Sequence, residues 1–220
     1  MLRTMQRFSV YRPFLVFLIM NKYYVAVVVV LLLLNACNNP NKETILPSSA
    51  TSVDIESKAD SFFPVSSFLR GQMVILDSLP ITPLHITTIK GKADSAWVSK
   101  AKLKPLLEPF LASEIDETNL VNYFKETRFN DQTINAITFT YDPIGNLSDT
   151  FSLRHWDVYI NPEKGTVTKI YIVRKFDKDG KKITAQLTWQ TDKQAKISTI
   201  LNKPDGTQEL IKDDLFTWDF

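Results

Sequence analysis

From Tyr123 onward the chain is written as short runs rich in Val, Ile, Thr and aromatics, separated by turn clusters. No other feature restricts the fold as much. The predicted strands are 135–142, 151–160, 166–176, 182–190, 194–202 and 207–218, the last broken near Asp213-Asp214. The turns between them include Asn161-Pro162-Glu163-Lys164-Gly165, Asp177-Lys178-Asp179-Gly180, Thr191-Asp192-Lys193 and Lys203-Pro204-Asp205-Gly206. Turns this short make consecutive strands antiparallel neighbours. The C-terminal half therefore reads as a meander of about six strands.

Register follows from requiring core side chains to face core side chains, because a one-residue slip turns every side chain over. A left-handed Gly165 sets Ile160 opposite Thr166 and Trp156 opposite Ile170. The next turns set Ile170 by Leu187, Ile172 by Ala185 and Leu187 by Ile197. One face then carries Trp156, Val158, Ile160, Ile170, Ile172, Ala185, Leu187, Trp189, Ile197 and Leu201. The opposite face carries His155, Asp157, Lys169, Tyr171, Gln186, Thr188, Lys196 and Ser198.

Ahead of the meander the pattern is helical. Phe62, Val65, Leu69, Met73 and Leu76 recur at three-four spacing after Pro64, a residue tolerated in a first helical turn. Gly71 interrupts that helix and points to close packing. A strand follows from Leu84 to Lys90. A second helix is expected over Lys100–Leu111, capped by Ser99 and bent at Pro105, and a third short turn after Asp116. The fold class is then α+β: two or three N-terminal helices packed on one face of a C-terminal antiparallel meander of about six strands.

The N-terminus carries a different signal. Lys22 precedes ten unbroken apolar residues, Val25 to Leu34, and then Leu34-Asn35-Ala36-Cys37. A short basic region, an apolar core and a small residue before the cut make a secretory signal. The placement before the chain's single cysteine resembles a bacterial lipoprotein lipobox. The resemblance implies a signal peptide over 1–36, a lipidated Cys37 carrying palmitate-like chains, a flexible linker over 37–57 and one domain over 58–220. The signal grammar favours translation from Met20. A long signal or a membrane helix is the other reading, since Phe14 to Ala36 is long enough to cross a bilayer.

Cleavage before Cys37 leaves 184 of the 220 residues and removes Arg3, Arg7, Arg12 and Lys22. The formal +2 of the precursor becomes −2, with 22 basic residues against 24 acidic ones. Nucleic acid is not an expected partner, because phosphate binding needs clustered positive charge. With one cysteine there is no disulfide framework, so the fold rests on its apolar core.

No catalytic motif is present. His155, Ser198 and Asp157 are the nearest approach to a triad, but His155 and Asp157 point the same way from one strand, and no Gly-x-Ser-x-Gly elbow occurs. His85 and His155 lie on distant segments, and no spaced metal motif or phosphate loop appears, so no metal or cofactor is expected. The candidate binding face is His155, Asp157, Lys169, Tyr171, Gln186, Lys196 and Ser198, with Asp157 expected opposite Lys169. An ordinary solvated sheet face is the competing reading.

Trp156-Asp157-Val158-Tyr159-Ile160, Ile170-Tyr171-Ile172 and Gln186-Leu187-Thr188-Trp189 resemble uncharacterised envelope lipoproteins of Bacteroidota. The resemblance implies a cell-envelope protein held to the outer membrane by lipid. Asn38-Asn39 after the cysteine, in place of an acidic cluster, favours the periplasmic side. The expected function is non-enzymatic, a binding or structural module for an envelope protein, lipid or glycan. The alternative is an envelope hydrolase centred on His155. One acyl chain anchors only marginally, so stable attachment takes more than one. Replacing Cys37 by Ser is expected to leave the signal uncut or release the protein, read by fractionation and intact mass. A processed, membrane-bound Cys37→Ser protein would exclude the anchor.

Overall fold

The computed structural model describes residues 61–218, so the signal, Cys37 and the linker lie outside the described residues. Nine strands form one antiparallel sheet. They are β1 (Leu84–Ile89), β2 (Lys92–Trp97), β3 (Phe124–Asp131), β4 (Ala136–Pro143), β5 (Leu153–Ile160), β6 (Val167–Lys178), β7 (Lys181–Gln190), β8 (Gln194–Asn202) and β9 (Gln208–Thr217). The order across the sheet is β2-β1-β9-β8-β7-β6-β5-β4-β3. Strands β3 to β9 meander in sequence. The β1–β2 hairpin extends the far edge by pairing β1 with β9, Leu84 opposite Thr217 and Ile89 opposite Lys212. Helix α1 (Val65–Ser78), helix α2 (Lys100–Leu107) and a 3-10 turn (Glu108–Phe110) complete the described elements.

This corrects the expected α+β class. The described chain is mostly β, with two short helices and a nine-stranded sheet in place of two or three helices on six strands. The misreading has a local cause at each point. Strand β2 reads Lys-Ala-Asp-Ser-Ala-Trp, is exposed along its length, and carries no β-branched residue. Strand β3 places Glu126 and Arg128 on its inward face, so its alternation is masked by charge. Asp116 caps an isolated turn, accepting from the backbone N–H of Thr118 and Asn119, and no helix follows. Strand β9 runs unbroken through Asp213-Asp214; a bulge accommodates Ile211, since Thr199 pairs with Lys212 and Ile200 with Leu210.

The hairpin registers need a second correction. Trp156 lies opposite Ile172 and Val158 opposite Ile170, two residues from the expected pairing, with a bulge at Tyr159/Ile160. Ile172 lies opposite Leu187 and Ile170 opposite Trp189, again displaced by two. Leu187 does face Ile197. Gly165 is left-handed at φ 63, and Asn161 Oδ1 accepts from Glu163 and Lys164 N–H groups. A two-residue shift leaves every side chain on its face. Trp156, Val158, Ile170, Ile172, Ala185, Leu187, Trp189 and Ile197 are accordingly buried, while Ile160 and Leu201 are half-buried.

The helices cover this inner face. Phe62, just ahead of α1, and Val65, Leu69 and Leu76 within it are buried with Leu103, Leu107 and Phe110 from the second helical segment. Each such side chain removed from water contributes about 1.5–3 kcal/mol. Ring edges fix the docking: Phe62 meets Tyr141 at 5.0 Å, Phe110 meets Trp189 at 5.5 Å, and Tyr141 stacks on Trp156 at 4.5 Å. Ser66 clasps the connection beyond α2, its hydroxyl accepting from Ile115 N–H and its own N–H donating to Ile115 O. Arg174 reaches from β6 to Pro109 O and Ser152 Oγ, tying the 3-10 turn to the sheet. Ser99 stands at the cap position of α2 but its side chain makes no capping bond.

Gly71 is not a packing site. It is exposed, and a Cβ built on it meets nothing within 4 Å. Gly71→Ala is therefore expected to stabilise the domain by about 0.5–1 kcal/mol through lower unfolded-state entropy. A thermal or urea melt reads this directly, and a loss of stability would mean something packs there.

Candidate functional site

The sheet face away from the helices carries one closed ionic network. His155 on β5 lies between two carboxylates, its Nδ1 2.8 Å from Asp142 Oδ1 and its Nε2 3.2 Å from Asp157 Oδ1. Asp157 also accepts from Thr140 Oγ1 at 2.8 Å and from Tyr159 Oη at 3.2 Å. The antiparallel ladder builds this, because Thr140 lies across from Asp157, and Asp142 and His155 each stand one residue beyond the last pair, Tyr141 opposite Trp156. The Asp157 hydrogen bond raises the His155 pKa to about 9, against the opposing pull of burial and with further help from Asp142. Burial pushes the Asp157 carboxyl up, but the bonds from His155, Thr140 and Tyr159 outweigh it and hold the group below its ordinary range. At neutral pH the cluster is an imidazolium between two carboxylates.

The expected row is rearranged by the two-residue shift. Asp157 faces Tyr171, not Lys169, so the expected cross-strand ion pair is absent. Lys169 faces Tyr159 instead and places its ammonium 3.6 Å from the ring centroid, a contact of about 0.5–1 kcal/mol where exposed. Tyr171 meets the His155 ring edge-on at 6.1 Å. Lys196 and Ser198 both turn to Asp213, at 2.8 and 2.5 Å. Gln186 pairs with Ser198 across β7 and β8. Asp157, Lys169, Tyr171, His155 and Tyr159 thus come together, while Gln186, Lys196 and Ser198 form a separate group.

This geometry does not make a triad. Ser198 is three strands from His155, roughly 14 Å at the usual strand spacing, and both imidazole nitrogens are occupied by carboxylates. Among the described residues no group of three or more His, Cys, Asp or Glu side chains is arranged to hold a metal ion.

Two features were not legible in the chain. On the helix-side face, beyond the helices, His85 stacks on Phe216 at 4.3 Å and contacts Asp214 Oδ1 at 2.9 Å. Thr87 donates to the same oxygen, and Lys212 pairs with Asp214 Oδ2. These residues meet only because β1 inserts beside β9, a pairing that no local pattern announces. The second feature is a cleft of about 980 Å³ at one end of the sheet. Three hairpin tips and α1 form it. Lys164, Lys169 and Lys193 line it against Asp192, with Tyr159, Phe63 and Phe68 as aromatic surface and Asn161 and Gln190 as amides. Its only sequence signal was the clustering of Lys and Asn at turns.

No family model, no curated protein and no solved structure matches the chain significantly.

The His155 network gives a pH signature with a definite sign. A pKa raised from 6.5 to about 9 on folding stabilises the protein in full below about pH 6.5, and the contribution is lost as pH rises through about 9. Allowing for the half-exposed Asp142, the loss amounts to about 2 kcal/mol. Melts at pH 6 to 10 are expected to fall in the wild type and to flatten in His155→Gln. Parallel curves would mean the network does not titrate with folding.

Proposed function

We propose that this protein is a lipid-anchored envelope protein that binds an anionic glycan without transforming it, at the hairpin-tip cleft and the adjoining outer face. The observation that carries the reading is the convergence of Lys164, Lys169 and Lys193 on one concavity of about 980 Å³. Ligand sites are commonly concave, with a few convergent polar groups. Lys169 and Tyr159 belong both to this cleft and to the outer face, so a ligand seated at the tips extends over Tyr171. The amides and hydroxyls of Asn161, Gln190, Thr168 and Thr191 supply donors and acceptors for sugar hydroxyls. The aromatic rings supply apolar area. The anchor at Cys37 would keep the domain at a membrane surface and a linker would give it reach.

Binding fits this arrangement better than hydrolysis. A general base needs a free lone pair near a substrate proton, and His155 has neither nitrogen free. Its role is to hold β4 and β5 rigid beneath Tyr159 and Tyr171, and a rigid aromatic surface is a good platform for recognition. The test is a saccharide array with acidic and neutral members. Wild type is expected to select acidic ones. The double variant Lys164→Glu, Lys193→Glu is expected to lose about tenfold in affinity, or ~1.4 kcal/mol, with an unchanged melt. Equal capture by both proteins would remove the site from the cleft.

A further inference from the structure

We infer that the groove between α1 and α2 binds the acyl chain of a long-chain fatty acid, with the carboxylate at its basic rim. The groove is separate from the hairpin-tip cleft and does not depend on the function assigned to it. Its volume is about 320 Å³, room for about ten methylene-sized groups at the ~30 Å³ a water-sized unit occupies in a liquid, so the last carbons of a longer chain would leave the groove past the exposed Val74. Leu76, Leu103 and Leu107 are buried and form the floor; Met73, Val74 and Leu111 form the walls. Val74 remains 70% exposed, so a β-branched apolar side chain of the lining stands in water.

The rim supplies the charge. Arg70, Lys100 and Lys104 line the groove against one acid, Asp77. The Lys100 ammonium donates to the backbone carbonyls of Asp77 and Leu79. That joins the end of α1 to the start of α2 beside the groove. One Arg70 nitrogen donates to both oxygens of Glu114, in an exposed pair. The other N–H groups of the guanidinium stay available to a second carboxylate. Lys104 has no ion-pair partner among the described residues. A carboxylate at the rim would meet Lys104 and Arg70 while its chain lies on the leucine floor.

The chemistry of the lining argues for a chain of methylenes rather than a peptide. An extended peptide would bring N–H and C=O groups against Met, Val and Leu side chains that cannot bond them, and such groups are costly when buried. A methylene chain has nothing to satisfy and gains about 0.8 kcal/mol per buried CH₂. A neutral amphiphile would leave the basic rim unused.

The test uses the full-length protein with phosphatidylcholine vesicles and a diazirine-bearing hexadecanoate as probe. After irradiation, labelled peptides are mapped by mass spectrometry. Labels are expected on α1 and α2 around Met73, Val74 and Leu103, and excess hexadecanoate should suppress them more than excess hexadecanol. Ala101→Trp fills the groove from an exposed wall position and should cut labelling at least tenfold with an unchanged melt. Val74→Trp from the opposite wall should do the same, and Lys104→Glu should cut it severalfold. Labelling scattered over the surface, or insensitive to competitor and to both tryptophan variants, overturns the proposal. So does probe label confined to parts of the chain other than α1 and α2.

Discussion

The inner face of the sheet is most densely apolar across its middle, and the domain is arranged around that fact. Strands β5 to β8 bring Trp156, Val158, Ile170, Ile172, Leu187, Trp189 and Ile197 to one side, all buried. A nine-stranded sheet cannot expose such a stripe to water, and two short helical segments suffice to cover it. Their attachment is aromatic and specific, through Phe62 on the Tyr141–Trp156 stack and Phe110 on Trp189. Losing that contact would strip the cover from the most apolar part of the chain.

Outside the stripe the inner face turns polar, and each flank is closed by its own network. On one side Glu126 is buried and held by Arg128, with Tyr141 hydrogen-bonded to it. Burial first, and then the Glu126 bond, push the Tyr141 hydroxyl well above its ordinary pKa, so it remains a donor. On the other side Asp214 gathers His85, Thr87 and Lys212. Buried carboxylates are costly unless paired and bonded, and here each has several partners. These networks let the sheet grow wider than its helices can cover.

The same division explains what could be read from the chain. The central strands alternate cleanly, so their faces were legible even where the register was displaced by two, because that shift preserves the face. The flanking strands were legible only in part: β1 and β9 were expected, β9 with a break at Asp213-Asp214 that the structure closes, while β2 and β3 were not. Inward positions on β3 hold Glu126 and Arg128, so the apolar signal that marks a strand is masked there. Strand β2 has no inward burial at all. Of the candidate face, the grouping of His155, Asp157, Tyr171 and Lys169 was legible. The clamp by Asp142 was not, since its position depends on how β4 pairs with β5.

Charge is distributed in a way that the near-neutral total conceals. Six of the sheet's carboxylates are held by its own side chains: Asp142 and Asp157 on His155, Asp213 on Lys196 and Ser198, Asp214 on His85, Thr87 and Lys212, Glu126 on Arg128, Glu209 on Lys203. The lysines that line the two concavities are not matched in the same way. Lys164 and Lys193 at the hairpin tips and Lys104 at the helix groove have no ion-pair partner among the described residues. A chain whose formal net charge is only +2 thus gathers unpaired lysines where its surface is concave. Electrostatic complementarity governs encounter and selectivity more than total affinity, which is why an anionic ligand is the one proposed for each concavity. In each, the adjoining surface sets the rest of the ligand: amides, hydroxyls and rings at the tips, and leucine and methionine side chains between the helices.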